Sequence, residues 1–180
     1  MLWLLAAALL TSLVLGCTFV ALHRLKDLRG EAVQPPGPPL TDEQSMTQVV
    51  GAARQFVTAG RLRNAGGTYL LVPCGVDDGP PYQGSAYVDF DLPSITETPA
   101  YLRRISAALS SRGWTEGMAP NQHPGGKILV KGRVSATLYR NPDVPRRGVL
   151  EIYGECRNVT DHRLDATGFV DISDRIGGGS

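Results

Sequence analysis

The longest uninterrupted run of apolar residues opens the chain. Residues 2–22 carry no charged side chain, and the run stops at His23 and Arg24. A helix of about 20 apolar residues, rising about 1.5 Å per residue, spans the hydrocarbon core of a bilayer. The pattern therefore predicts a transmembrane anchor over residues 1–23 that contacts the membrane through residues 2–22.

A lipidated cysteine is the second interpretation of the same stretch. Val14-Leu15-Gly16-Cys17 resembles a lipobox, in which Cys17 would carry the lipid. A secretory signal, however, has a basic start, and this segment has no Lys or Arg before residue 23. The chain also stays apolar over residues 18–22, after the cysteine. The sequence favours the anchor and keeps lipidation of Cys17 as the alternative.

Residues 24–41 separate this stretch from the rest of the chain. They begin with a basic flank and continue into a proline-rich segment, which predicts an extended spacer. A single domain is predicted over residues 42–176, and residues 177–180, Gly-Gly-Gly-Ser, are predicted to be a flexible tail.

Two segments of the domain have the apolar spacing of amphipathic helices. The first is predicted over 42–62, with Thr41 and Gln44 forming a capping box. The second begins at Thr98-Pro99 and ends at Gly113. If Gly113 is the left-handed residue of a Schellman motif, Trp114 folds back onto Leu109 as part of the core.

Alternating or short apolar runs predict strands in the remaining parts of the domain. The fold class is therefore α+β, with two helices packed on one face of a four- to five-stranded antiparallel sheet. After residue 156 the chain turns polar, which predicts a segment that trails along the surface. The predicted strands cover residues 68–74, 85–92, 127–131, 134–140 and 148–156.

Cys74 and Cys156 each lie at the end of a predicted strand, on its apolar parity. If the two strands are neighbours, the thiols can form a disulfide; the alternative is two separate buried thiols. A disulfide requires an oxidising compartment, which predicts a single-pass cell-membrane protein with an extracytoplasmic domain. The basic residues that follow the anchor favour the opposite orientation, and we give the cysteines more weight.

Charge excludes nucleic acid as a partner. Three of the 18 basic and one of the 17 acidic residues precede residue 31, so the remaining chain carries a net charge of −1. A nucleic-acid-binding domain would have a basic excess on one face.

The candidate chemistry is sparse, and the sequence predicts no enzyme, no cofactor and no metal site. His23, His123 and His162 share no metal-ligand spacing with one another or with the cysteines. The pair Asp89 and Asp91, like Asp77-Asp78, is explained more simply by a solvated surface than by a carboxylate dyad.

The outer face of the sheet is the predicted interaction surface. Tyr87, Tyr139 and Tyr153 fall there near charged residues, and aromatic side chains are enriched at interfaces. The leading hypothesis is a non-catalytic accessory or interaction protein of the bacterial cell envelope that binds a protein partner. A small subunit of a larger membrane complex is one form of this hypothesis. Ordinary cross-strand packing also explains these tyrosines. The alternative function is binding of an envelope lipid or a cell-wall ligand between the helices and the sheet.

Several short motifs resemble those of small actinobacterial envelope proteins, which are membrane-anchored or lipoprotein domains of the LppA-like type. The motifs are Pro-Tyr-Gln-Gly at 81–84, Arg-Gly-Trp-Thr at 112–115 and Gly-Glu-Cys at 154–156. The resemblance covers about residues 68–157. It implies an α+β domain on the outer side of the membrane and brings no catalytic residues with it.

Overall fold

The computed structural model describes residues 37–76, 78–120, 122–165 and 168–177. The predicted anchor, Cys17, most of the spacer, Asp77 and the tail at 178–180 lie outside this part of the chain. Within it, none of the helices combines the length and the apolar character needed to cross a membrane. The transmembrane helix predicted for residues 1–23 is therefore not part of the described fold.

The domain is α+β, but the predicted number of strands and helices is wrong. One antiparallel sheet has seven strands in the order β3-β4-β5-β6-β2-β1-β7, and three helices lie in the described residues. Two of the strands and one helix have only two to four residues, too few to show a periodic pattern. The elements are α1 (Asp42–Gly60), β1 (Arg63–Pro73), β2 (Tyr82–Asp91), α2 (Thr98–Ser110), β3 (Thr115–Glu116), β4 (Lys127–Lys131), β5 (Val134–Arg140), β6 (Arg147–Tyr153), β7 (Val170–Asp171) and α3 (Ser173–Ile176).

Helix α1 begins as predicted, at a capping box. The Thr41 hydroxyl accepts a hydrogen bond from the Gln44 backbone N–H, and the Gln44 side chain accepts one from the Thr41 N–H. The helix ends at Gly60, and Arg61 takes the left-handed conformation that closes it. Its buried face, which includes Val49, Ala53 and Phe56, packs on the sheet.

Helix α2 also ends as predicted. Gly113 has a φ of +84°, a conformation that glycine adopts without strain, and the Trp114 N–H donates to the Leu109 carbonyl at 3.2 Å. The Trp114 side chain is buried and meets the Phe56 ring edge-on, with centroids 4.9 Å apart.

The core lies between the helices and one face of the sheet. Val88, Phe90, Leu150 and Ile152 of the central strands are fully or almost fully buried there. The core is filled by large side chains from both layers, as expected for close packing.

The segment after residue 156 does not trail along the surface as predicted. Its Val170 and Asp171 pair with β1, and Ile172 and Ile176 are fully buried against the core. Gly67 of β1 makes this docking possible, because a Cβ there would lie 3.0 Å from the Ile176 side chain. Strand β1 begins at Arg63, several residues before the predicted start, and its first residues pair with β2.

Candidate functional site

Two of the three predicted interface tyrosines lie on the exposed part of the outer sheet face. Tyr87 of β2 is 37% exposed and pairs across the strands with Glu151 of β6. Tyr153 of β6 is half-buried and pairs with Ser85. Because side chains alternate along a strand, this face is the one that the helices leave uncovered.

The third tyrosine shares this face but is not available as a contact surface. Tyr139 of β5 is buried, and the His123 ring stacks on it with centroids 3.5 Å apart. Its hydroxyl donates to Glu151 at 2.7 Å. Burial and the Glu151 carboxylate together raise the pKa of Tyr139. The loop that carries His123 therefore covers the outer face at Tyr139, and Val149, the strand partner of Tyr139, is also buried there.

The part of the outer face formed by β1, β2 and β6 contains a groove of about 810 Å³. We call it the tyrosine trough and define it by six of its lining residues. Burial, followed by the nearby carboxylates, raises the pKa of both trough tyrosines, so they stay neutral phenols at physiological pH. The defining residues are Leu70, Val72, Tyr87, Glu151, Tyr153 and Phe169.

Acidic groups surround the trough. Asp89, Glu151 and Asp171 line it, and none of the described Lys or Arg residues belongs to its lining. Asp89 forms an ion pair with Arg147, which also holds Asp91. The Asp89 and Asp91 pair is thus an ion-pair network at one end of the sheet, and the trough combines aromatic and aliphatic walls with carboxylates.

The predicted disulfide is confirmed. Cys74, just after β1, bonds to Cys156, just after β6, with their Cα atoms 5.9 Å apart. The neighbouring residue Arg157 donates to the Pro38 carbonyl at 2.9 Å and accepts from the Leu40 N–H at 2.9 Å. The disulfide therefore fixes the segment at residues 156–157, and this segment in turn binds residues 38–40, which precede α1.

A second groove, of about 570 Å³, lies between the start of α1 and the end of β1. The His162 ring lies at its edge, with Nδ1 2.7 Å from Asp165 and Nε2 3.2 Å from Asp42. Asn158, which is fully buried, donates to the same Asp42 carboxylate at 2.7 Å. We call this groove the His162 pocket and define it by Asp42, Met46, Tyr69, Leu71, His162 and Asp165.

Sequence reasoning missed the His162 pocket. It placed His162 in a polar tail, because nothing in the local pattern joins residue 162 to the first turn of a helix at residue 42. The only local signal is the spacing of His162 and Asp165, which suits a hydrogen bond within one turn.

The two carboxylates around His162 predict a pH-dependent contribution to stability. Burial alone would lower the pKa of His162, but Asp165 and Asp42 outweigh it and raise that pKa above the ordinary value. A raised folded-state pKa stabilises the fold fully below the unfolded value of about 6.5 and loses this effect as pH rises through the folded pKa. The Tyr82 ring meets the His162 ring edge-on, with the ring centroids 5.1 Å apart.

The measurement is urea unfolding of the wild type and His162→Gln between about pH 5 and pH 9. The wild type should gain stability relative to the variant at the acidic end and lose this advantage at the basic end. Parallel pH profiles for the two proteins would contradict the prediction. An NMR titration of the His162 ring should give the raised pKa directly.

The described residues contain no group of three or more His, Cys, Asp and Glu side chains that could hold a metal ion. Neither groove is therefore a candidate metal centre within this part of the chain.

Comparison with known proteins gives a family. Residues 41–175 match the family described as "Putative lipoprotein LppJ". Proteins of that name from Mycobacterium tuberculosis and Mycobacterium bovis are 34% identical over 161 residues, which cover 89% of this chain and 84% of the relatives. No solved structure matches the chain. The resemblance to actinobacterial envelope proteins is confirmed, and the chain belongs to the LppJ family of lipoprotein-type proteins.

Proposed function

We propose that this protein is a non-catalytic binding protein of the cell envelope that holds a partner protein in the tyrosine trough. Membership of a lipoprotein family supports an association with the envelope. It also favours Cys17, within the lipobox-like Val14-Leu15-Gly16-Cys17, as the lipidated residue that attaches the domain to the membrane. The disulfide supports an extracytoplasmic location, because it needs an oxidising compartment.

The observation that carries the proposal is that the outer face of the sheet is covered by a loop at Tyr139 but open at the trough. The loop with His123 covers Tyr139 on this face, whereas the trough leaves aliphatic and aromatic side chains of β1, β2 and β6 open. A sheet face that meets only water normally carries polar side chains. Open apolar grooves rimmed by polar groups are typical of interaction sites.

The core supports this location over the alternative between the helices and the sheet. Phe56, Phe90 and Leu150 fill that space and are fully buried. A lipid or cell-wall fragment would have to displace such side chains, whereas the trough needs no rearrangement to accept a partner.

The charges of the trough define the partner's chemistry. Among the described residues, its lining carries the carboxylates of Glu151 and Asp171, together with Asp89, which is paired with Arg147. Complementary charge steers association and fixes the register of a complex. The partner segment therefore combines apolar side chains with Lys or Arg.

Site-specific photo-cross-linking in intact cells tests the proposal. A benzophenone amino acid replaces Tyr87 in the trough or, as a matched control, the exposed Arg103 on the helical side. We expect an adduct of defined mass at position 87 and none at position 103. The partner sequence in that adduct should contain a basic, apolar segment.

A pair of charge variants tests the proposed chemistry at the same site. Thr68 lies beside Tyr87 and Asp171 in the trough, so Thr68→Lys and Thr68→Glu change the same position with opposite charges. Thr68→Lys should reduce the adduct at least about tenfold, the effect of roughly 1.4 kcal/mol, and Thr68→Glu should retain it. Equal cross-linking at positions 87 and 103, or equal effects of both variants, would reject the trough as the binding surface.

A further inference from the structure

The His162 pocket has a feature that the tyrosine trough lacks, namely a buried hydroxyl without a partner. Tyr69 lines the pocket and is only 4% exposed, and its hydroxyl makes no hydrogen bond within the described residues. Burial and the charge of Asp42 raise the pKa of Tyr69 to about 12, so the group is a neutral phenol. Buried polar groups without partners are uncommon in folded proteins, because each loses its bonds to water and gains none in return.

The neighbouring groups restrict what could satisfy this hydroxyl. Among the described residues, Asp42, Glu43 and Asp165 line the pocket, and His162 is the one basic side chain of this lining. The balance is negative whether or not the imidazole is protonated, which disfavours phosphate and carboxylate ligands. The described residues offer no set of ligands for a metal ion, so an organic cation fits better than a metal.

The lining residues indicate that the cationic group is attached to an apolar chain. Met46, Leu71 and Val170 give the pocket an aliphatic lining beside the carboxylates. Long ammonium side chains bury their methylene stems along apolar surface while the charged end meets polar groups.

We propose that the His162 pocket binds a primary ammonium group on an aliphatic chain. The ammonium donates to the Tyr69 oxygen and is attracted by the carboxylates of Asp42 and Glu43, while its methylene stem lies along Met46 and Leu71. This site is separate from the proposed function of the trough, although Leu70 and Phe169 line both grooves. The same chemistry occurs in a lysine side chain of a peptide and in a free diamine.

NMR of the full chain labelled with 13C-methyl methionine provides the test. Met46 lines the pocket, whereas the 89% exposed Met118 lies in a loop outside it and serves as an internal control. The probe is Nα-acetyl-lysine methylamide, and its neutral counterpart carries a second acetyl group on Nε. We expect the charged probe to shift the Met46 methyl signal saturably, with no shift of Met118 and none from the neutral probe. Equal shifts of Met46 by both probes would overturn the proposal.

Cadaverine, a free diamine, distinguishes the two sources of the ligand. Tighter binding of cadaverine than of the lysine probe assigns the site to a diamine, and the reverse order assigns it to a peptide lysine. Both results support an ammonium site. A Met46 signal that neither the lysine probe nor cadaverine shifts would overturn the proposal.

Tyr69→Phe removes the hydroxyl and little else, which makes it the decisive variant. Because this hydroxyl has no partner in the described fold, the variant should unfold at the same urea concentration as the wild type or at a higher one. Its affinity for the lysine probe should fall about tenfold, as for the loss of one hydrogen bond to a charged group. A marked loss of stability would show that the hydroxyl has a structural role, and an unchanged affinity would show that it does not contact the ammonium; either result would overturn the proposal.

A pair of carboxylate variants tests the charge. Glu43→Gln removes one negative charge from the pocket, and Asp143→Asn removes one from an exposed turn elsewhere. Glu43→Gln should weaken binding of the lysine probe, more so at low salt, while Asp143→Asn should have no effect. Identical affinities of the two variants would contradict a role for the pocket carboxylates. Neither result depends on the cross-linking at Tyr87, so the two proposals fail or succeed separately.

Discussion

Replacing Phe56 by alanine is expected to lower the free energy of unfolding by about 3 to 5 kcal/mol, the usual cost of emptying a buried phenylalanine site. Phe56 is fully buried on the inner face of α1, and its ring meets the Trp114 ring edge-on at 4.9 Å. Three contributions make up this loss: the free energy gained by burying the ring, the cost of the cavity left between α1 and the sheet, and the contact with the Trp114 ring. Equilibrium urea unfolding followed by circular dichroism measures it.

Thr47→Ala on the same helix is the matched control. Thr47 is exposed, so its replacement should change the free energy of unfolding by no more than about 0.5 kcal/mol. A Phe56→Ala variant as stable as Thr47→Ala would mean that α1 does not pack on the sheet through this face. The expected loss would also count against the alternative function, because a ligand bound between the helices and the sheet would need the space that the Phe56 ring fills.

Local chemistry was enough to predict the helices α1 and α2. Thr41 and Gln44 satisfy each other's backbone donors, and Gly113 supplies the left-handed residue that turns Trp114 back onto Leu109. These signals depend on residues a few positions apart, so they can be recognised in the sequence without knowing the rest of the fold. The same reasoning gave the alternation of β2 and β6 and therefore the outer position of Tyr87 and Tyr153.

The C-terminal segment was not predictable in the same way. Val170 and Asp171 form a strand only because β1 offers an edge, and Ile172 and Ile176 are buried only because Gly67 leaves room for them. Two-residue strands and one-turn helices are stabilised by tertiary packing and not by propensity. Ile172 and Ile176 lie among polar residues in the sequence, so they form no apolar run that would predict a buried element.

In the candidate sites, too, local sequence predicted some features, whereas others depend on the tertiary fold. The parity of a strand placed Tyr139 on the outer face correctly, but it could not predict that the His123 loop would cover that residue. The His162 pocket joins residue 42 to residues 162 and 165, and this contact depends on the path of the chain after the disulfide. Charge and composition describe such a site only after the fold has brought its residues together.

Removal of the disulfide is expected to have an effect as large as that of Phe56→Ala. Cys74 and Cys156 are separated by 82 residues in the sequence. In the chain-entropy model, opening a loop of this length costs about 4 to 5 kcal/mol of stability. The double variant Cys74→Ala and Cys156→Ala should show this loss in urea unfolding, and reduction of the wild type with dithiothreitol should reproduce most of it.

The disulfide variant should also affect the two grooves differently, because the crosslink holds the segment after β6 and not the sheet itself. Tyr87 and Tyr153 lie on β2 and β6, which remain paired through seven residues of register without the disulfide. Arg157, Asn158 and His162 follow Cys156 directly, and they connect that segment to Pro38 and Asp42. In conditions where the double variant is still folded, cross-linking at position 87 should persist while the lysine probe no longer shifts the Met46 signal. Rapid alkylation of Cys74 and Cys156 in intact wild-type cells without reductant would contradict the disulfide, and with it the extracytoplasmic location that supports the proposed function.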